Sequence, residues 1–453
     1  MKFIKISRLI YSLILFLFIA ITQVFPVEKK PVTPSILVIE ENELIPGVTY
    51  RNVLIGKGKF KHSVHVVEAN LNNPFVSAAV LKAQGQVNEL EKLHDMIRKF
   101  DTSHKDAKVL ASINANFWRA YTNRPIGPTI IDGEVLEMIT HKQWTSGFFD
   151  KISFLYIDTF FIKGSFKTGT GEIFQIDRVN RRQDSLGISF YNRFGGDTIP
   201  YVQTSTLKKA FQVALQDTVY DDSTEAKLDT AGLRDAIRTE QMESNLEHLT
   251  KKISVRYVDN PAVNKLMRCI VIAINDSGHV KMPENGAVIT FGDDYRDKKL
   301  PEINDTLFLK FSTNIYDSVE FYNSVSGTPR LVRNGIAKHE AREEGSRGRR
   351  FINRTLPRTA IGTNQQRTKI YLVAVEAGSN WKRTRGASLA QLANIMKAVG
   401  CYDAMNLDGG GSSMLIIDNK NLMRTNPKSS RAISVGLSII QKIYEDSKKK
   451  VKK

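Results

Sequence analysis

The 453-residue sequence predicts an α+β fold, a mixed and mostly antiparallel β-sheet with packed helices. Three observations carry that expectation. Short β-branched and aromatic runs punctuated by Gly, Asn and Asp fill most of the chain. A few stretches space their apolar residues as one helical face does. Two Asx-Gly dipeptides, Asp132-Gly133 and Asn334-Gly335, stand between strand-like runs, where such pairs favour tight hairpins.

At the N-terminus, Lys2, Lys5 and Arg8 precede the apolar run 9–21, LIYSLILFLFIAI. A basic start followed by so short an apolar stretch is the pattern of a signal peptide over residues 1–26. The run is too short to span a bilayer comfortably, so export to the periplasm, the medium or the cell surface is expected. An uncleaved anchor is the alternative, and no small-x-small site near 22–27 marks a cleavage point. In that alternative the N-terminal segment is the chain's only membrane contact.

The formal charge is +18, of which the N-terminal segment and the tail lysines 448, 449, 450, 452 and 453 carry eight. Such runs are usually solvated. The milder remainder comes with no helix-turn-helix, zinc-finger or aromatic-plus-basic pattern, so nucleic acid is not an expected partner. Cys269 and Cys401 are the only cysteines, which excludes a disulfide framework and leaves one bridge or two buried thiols as alternatives. Neither HExxH, CxxC nor an EF-hand loop is present, and no metal or other cofactor is expected. A calcium ion held by Asp and main-chain carbonyls around a glycine loop at 409–411 stays open as an alternative. The sequence leaves the oligomeric state open.

Composition divides the rest into a catalytic domain in two parts, 27–204 and 253–440, with a basic tail at 441–453. Between the two parts, 205–252 is charged, helix-prone and poor in aromatics, and reads as a peripheral insertion. Leu90, Leu93 and Ile97 share one face of a helix expected over about 90–100. His94 in that helix is a packed or exposed residue rather than a ligand. In the C-terminal third, 369–377 (KIYLVAVEA) reads as a buried strand that pairs with 358–363 across the turn NQQR. Ser388 with Gln391 three residues on is a capping box, Leu389, Leu392, Ala393 and Met396 form an apolar stripe, and Gly400 ends the helix. A further strand over 402–407 leads into the octapeptide 406–413, NLDGGGSS.

Gly409, Gly410 and Gly411 permit positive φ and bring backbone N–H groups close to a ligand. Ser412 and Ser413 add hydroxyls and Asp408 a carboxylate, so the loop combines anion donors with a catalytic candidate. No Lys follows the glycines, so this is not a nucleotide-binding P-loop. A flexible surface turn is the plain alternative.

Wider context bears on that choice. SINANFW (112–118), GPTIIDGEVL (127–136), VNRRQDSLGISFYNRFGGDT (179–198), SGTPRLVRNG (326–335), PRTAIG (357–362), GASLAQLANIMKAVGCYDAMNLDGGGSSML (386–415) and RAISVGLSI (431–439) occur in an order and spacing that resemble the phosphodiester glycosidase family. The resemblance covers roughly 50–440 apart from the 205–252 stretch. It implies a phosphodiester-glycosidase-like domain and an exported hydrolase that cleaves the anomeric bond of a sugar-1-phosphodiester, with a phosphorylated carbohydrate as partner. Trp118 stands where a Phe is usual, and VEAGSN (375–380) replaces an Asp-Gly-Arg-like turn, which leaves the sugar and any polymer open.

A phosphate monoester leaves as a weakly basic anion, so the usual pair of carboxylates can relax to one carboxylate plus anion-binding groups. On that logic Asp408 activates water or stabilises the oxocarbenium-like transition state, while Arg358 and the loop amides hold phosphate. Glu376 is the second carboxylate where a separate acid is needed. Asn114 and Asn116 alternate along an apparent strand and offer hydrogen bonds to sugar hydroxyls, with Thr359, Arg431 and Asp132 as further candidates. A structural ion pair for Arg358 and an Asx turn for the asparagines are the alternatives. Two other functions remain open: a glycosidase or lyase acting on phosphate-free polysaccharide, and a non-catalytic carbohydrate-binding protein on the same fold.

Overall fold

The computed structural model describes residues 35–57, 60–120, 122–182, 185–200, 246–377, 386–423 and 431–443. The expected signal segment 1–26 and most of the 205–252 stretch lie outside them. Everything described but Ser35 belongs to one compact unit, Ile36–Lys453. Within the described residues no helix is long and apolar enough to cross a membrane.

Two sheets form a sandwich. The first has eight strands in the spatial order Ser35–Ile45, Val48–Lys57, Phe60–Asn70, Lys369–Val375, Arg358–Thr363, Asp403–Asn406, Arg330–Arg333 and Ile336–Ala337. The second runs Lys420–Asn421, Leu415–Ile417, Ala107–Asn114, Val435–Lys442 and Val76–Lys82. Alternation along each strand sends Val67, Ile361, Leu372 and Met405 from one side and Ala111, Ile113, Leu415 and Leu437 from the other into a shared core. The opposite faces are each covered by a helix. Leu389–Ala398 lies on Val64, Ala360 and Val373 of the first sheet. Leu93–Ser103 lies on Leu81, Val109 and Ile416 of the second. The layers therefore run helix, sheet, sheet, helix.

A second sheet system packs beside this one within the same unit. Its large sheet orders Ile173–Ile176, Ile162–Thr168, Thr306–Thr313, Met267–Asn275, Lys251–Tyr257, Gly286–Phe291, Ile188–Tyr191 and Arg178–Val179. A smaller sheet, Leu155–Asp158, Ser146–Asp150, Phe321–Ser326, Thr129–Ile131 and Glu134–Glu137, closes an aromatic-rich core on Phe148, Phe160, Phe166, Phe190 and Phe321. The pairings that fix both systems are antiparallel except between Arg178–Val179 and Ile188–Tyr191.

The α+β expectation needs a correction of balance: the protein is β-rich, with few helices. The expected hairpins form at Asp132-Gly133 and Asn334-Gly335, whose φ values of +50°, +82°, +51° and +75° suit turns that match strand twist. Arg358–Thr363 pairs with Lys369–Val375 as expected. The capping box also forms, with Ser388 Oγ accepting from Gln391 N at 3.3 Å and Gln391 Oε1 accepting from Ser388 N at 2.9 Å. The helix expected over 90–100 starts later, at Leu93, because Glu91–Lys92 pairs as a short strand with Ala432–Ile433.

The end of the 205–252 stretch is not peripheral. Glu247 is buried and hydrogen-bonded by Tyr191 Oη, and the Lys252 ammonium donates to the carbonyls of Glu247 and Thr250 at 2.7 and 2.8 Å. These charges read as insertion-like because the partners, Tyr191 some 56 residues from Glu247 and main-chain carbonyls for Lys252, are not advertised by the local sequence. At the other boundary, the last strand runs to Lys442, past the expected start of the tail at 441. Cys269 and Cys401 are free thiols in different cores.

Candidate active site

The site is built where strand ends of the two sandwich sheets meet. Asn406 closes its strand, Leu407 N donates to Thr359 O, and Asp408 N donates to Ala115 O, so the octapeptide crosses from the first sheet to the second. Gly409–Gly411 then lies between Pro357-Arg358 and Arg431. Gly410 has φ +62° and donates to Pro357 O at 2.9 Å, and a Cβ on Gly409 would sit 3.2 Å from that same oxygen. Gly409 is thus pressed onto the Pro357 carbonyl and Gly410 takes a left-handed φ, which explains the need for small residues at these two positions.

The expectation that the loop amides hold an anion holds for few of them. Gly409 N donates to Asp408 Oδ1, Gly410 N to Pro357 O, Ser412 N to Gly409 O and Ser413 N to Gly410 O. Of the loop's N–H groups, only that of Gly411 has no partner among the described residues. The side chains supply more. The hydroxyls of Ser412 and Ser413 are buried with no partner among the described residues.

Arg358 is 1% exposed, yet it has no carboxylate partner among the described residues. Its Nε donates to Ala387 O at 2.9 Å and its Nη2 to Phe351 O at 2.7 Å and Arg354 O at 3.2 Å, while the guanidinium lies over the Phe351 ring. Three carbonyls therefore aim the fork and leave the two donors of Nη1 unspent. Burial, with no anion to offset it, pulls this guanidinium down to about 10. An unneutralised buried cation is costly, and a bound anion would relieve it. The expected alternative, an ion pair across the sheet, is absent among the described residues. On the far side of the glycines, Arg431 stacks over Trp118 with its guanidinium carbon 5.1 Å from the ring centre, and its Nη1 lies 3.8 Å from where a Cβ on Gly411 would project.

The asparagines are positioned differently from the expectation that both point at ligand. Asn114 Oδ1 accepts from Thr359 Oγ1 at 2.8 Å and Met414 N at 3.1 Å, and its Nδ2 donates to Asp408 O at 2.7 Å. It cements the two sheets beneath Asp408, and Thr359 is its partner in that work. Asn116 lies beyond the strand end, donates to Thr129 Oγ1 at 2.9 Å, and keeps a buried Oδ1 with no partner among the described residues. Asp132 belongs to a hairpin turn, where it pairs with Arg193 at 3.0 Å.

Glu376 follows Val375, the residue opposite Arg358. Its Oε1 meets His65 Nε2 at 3.0 Å, and His65 Nδ1 meets Tyr50 Oη at 2.9 Å, all three being buried. An imidazole protonated on Nε2 donates to the carboxylate and accepts from the tyrosine, satisfying both contacts. His65 was missed from sequence: it sits 311 residues from Glu376, and only its place between valines in the run SVHVVEA hints at it. Among the described residues no three His, Cys, Asp or Glu side chains gather to hold a metal ion, so the calcium alternative would rest on Asp408 and main-chain carbonyls.

Comparison with known proteins adds to this geometry. No curated protein matches the sequence. Among solved structures, a hypothetical protein from Synechocystis superposes with a TM-score of 0.61 at 17% identity over 90% of this chain, which spans 64% of that protein's length. A protein of Burkholderia pseudomallei, named as exported, gives 0.51 at 13% identity over 84% of this chain and 74% of that one. These two share the fold. The catalytic domain of zebrafish N-acetylglucosamine-1-phosphodiester alpha-N-acetylglucosaminidase gives 0.42 at 15% identity, over 90% of this chain and 88% of that one. In sequence, residues 268–440, which contain Arg358, Glu376, the glycine loop and Arg431, match the phosphodiester glycosidase family, and this is the family that the chain resembles.

Proposed function

We propose that this protein is an exported hydrolase that cleaves the anomeric carbon–oxygen bond of a sugar-1-phosphodiester, acting on a phosphate-linked polysaccharide. The observation that carries the reading is the pair of arginines across the three-glycine loop, Arg358 with unspent Nη1 donors and no carboxylate partner among the described residues, and Arg431 beside Gly411. With the hydroxyls of Ser412 and Ser413 and the N–H of Gly411 they make a donor set of the size and charge of a phosphate group.

In this reading Asp408 takes a proton from the attacking water, or stabilises the positive charge developing on the ring, as the phosphate monoester departs with the bonding electron pair. The leaving group needs no prior protonation, so Glu376 is free to serve as a neighbouring charge oriented by His65. The reading is tested by turnover of N-acetylglucosamine-1-phosphodiesters against aryl N-acetylglucosaminides. Cleavage of the phosphodiesters alone supports it, and equal rates on both would remove the role given to the arginines.

A further inference from the structure

We propose that the open face of the large second sheet is a docking surface for a phosphate-bearing glycan chain, separate from the glycine-loop site. The proposal rests on the phosphodiester-glycosidase reading above for the identity of the polyanion, and on the sheet itself for the surface. The five strands Ile173–Ile176, Ile162–Thr168, Thr306–Thr313, Met267–Asn275 and Lys251–Tyr257 contain no Asp or Glu. Alternation buries Phe166, Leu309, Phe311, Cys269 and Val255 inside and turns Lys163, Lys167, Lys310, Arg268 and Arg256 outward.

Of these cations, only Arg268 is neutralised, by a two-pronged contact with Asp259 at 2.9 and 3.0 Å. Lys163, Lys167, Lys310 and Arg256 have no ion-pair or hydrogen-bond partner among the described residues. Apart from Asp259, the acids Glu172 and Asp305 lie just outside the ends of these strands rather than within them. A solvated face of a mixed-charge protein would interleave both signs, and here one sign is missing across adjacent strands.

The register adds an apolar platform to the charge. Half-buried Phe308 stands opposite Lys167 on one neighbouring strand and opposite Arg268 on the other, so one cross-strand row reads Lys167, Phe308, Arg268. Adjacent strands lie about 4.8 Å apart, which puts the two flanking Cα atoms roughly 10 Å from each other. A sugar ring seated on Phe308 would carry its phosphates toward the lysines. A polymer that is both ring-bearing and anionic fits this row better than a simple anion, which has no use for Phe308.

The measurement is affinity electrophoresis of the whole protein through gels containing phosphorylated dextran or unmodified dextran, over a range of salt, with the triple variants K163E/K167E/K310E and K163Q/K167Q/K310Q. Retardation by the phosphorylated polymer alone is expected, with the slope of log affinity against log salt falling by about 2 in the Gln variant and retardation abolished in the Glu variant. Turnover of a small N-acetylglucosamine-1-phosphodiester should be unchanged in both, since no site residue is touched. Undiminished retardation of the variants would overturn the surface. Tighter binding to duplex DNA than to phosphorylated dextran would overturn the choice of partner, as would displacement of the polymer by a peptide covering 205–245. A wild-type protein that binds the polymer through these lysines yet hydrolyses no phosphodiester would refute the catalytic reading alone.

Discussion

Both sheet systems bury polar residues, but they satisfy the buried charges differently. In the sandwich, His65, Asn114, Arg358, Thr359 and Glu376 are all buried, at a cost that ordinary folding gives no reason to accept. Thr359 is tied to Asn114 and Glu376 to His65, partners from distant parts of the chain, and Arg358 to the carbonyls of 351, 354 and 387. In the second system buried charges meet opposite charges, Arg124 with Glu137 and Glu134 with Arg193, while Lys163, Lys167 and Lys310 of its open strands stay on the surface. The lesson is that buried polarity with a few unspent donors marks where a ligand belongs, whereas surface charge on a plain sheet costs little to keep and guides rather than reacts.

Substitutions can break or sharpen that contrast. The largest effect is expected at Asp408→Asn, which keeps the shape and removes the charge: kcat should fall by about a hundredfold or more with the melting temperature nearly unmoved. Near-normal turnover would shift attention to Glu376. Arg358→Met should lower stability by roughly 2 to 3 kcal/mol in urea unfolding, because it orphans buried carbonyls, whereas Lys163→Gln on the open face should stay within about 0.5 kcal/mol. Gly410→Ala should cost about 1 to 2 kcal/mol, since φ is +62° while no atom lies within 4 Å of the added methyl.

A pH dependence is expected as well. The Lys82 ammonium donates to Glu89 O, Ser434 O and Ser434 Oγ, and burial pulls it from its ordinary 10.5 to about 7. Below pH 7 both folded and unfolded chains carry the proton, and the burial cost is fully present. Between about 7 and 10.5 only the unfolded chain keeps it, so this residue's contribution to stability improves as pH rises through that window. Lys82→Met should flatten that part of the stability–pH curve measured by urea unfolding.

What sequence could and could not show follows from the range of the interactions. The two Asx-Gly turns, the Ser388–Gln391 capping box and the hairpin at 358–375 depend on neighbours within a few residues, and they formed where expected. The glycine loop was legible as a candidate because its small residues are contiguous. The work of its amides was not, since their acceptors, such as Pro357 O, arrive through sheet register. Asn114 and Asn116 were read as a pair from strand alternation, but the strand ends at Asn114, and the two take different partners beyond it. Charged residues at 247 and 252 suggested solvent and proved buried, because Glu247 is met by Tyr191 from far along the chain and the carbonyls that hold Lys252 leave no trace in composition.

The central claim concerns which bond breaks. Hydrolysis of an N-acetylglucosamine-1-phosphodiester in water enriched in oxygen-18, read by mass spectrometry of both products, distinguishes attack at the anomeric carbon from attack at phosphorus. The account predicts label on the sugar's anomeric hydroxyl and none on the phosphate monoester. Label on the phosphate would contradict it, since the arginines would then be holding the reacting centre rather than the leaving group.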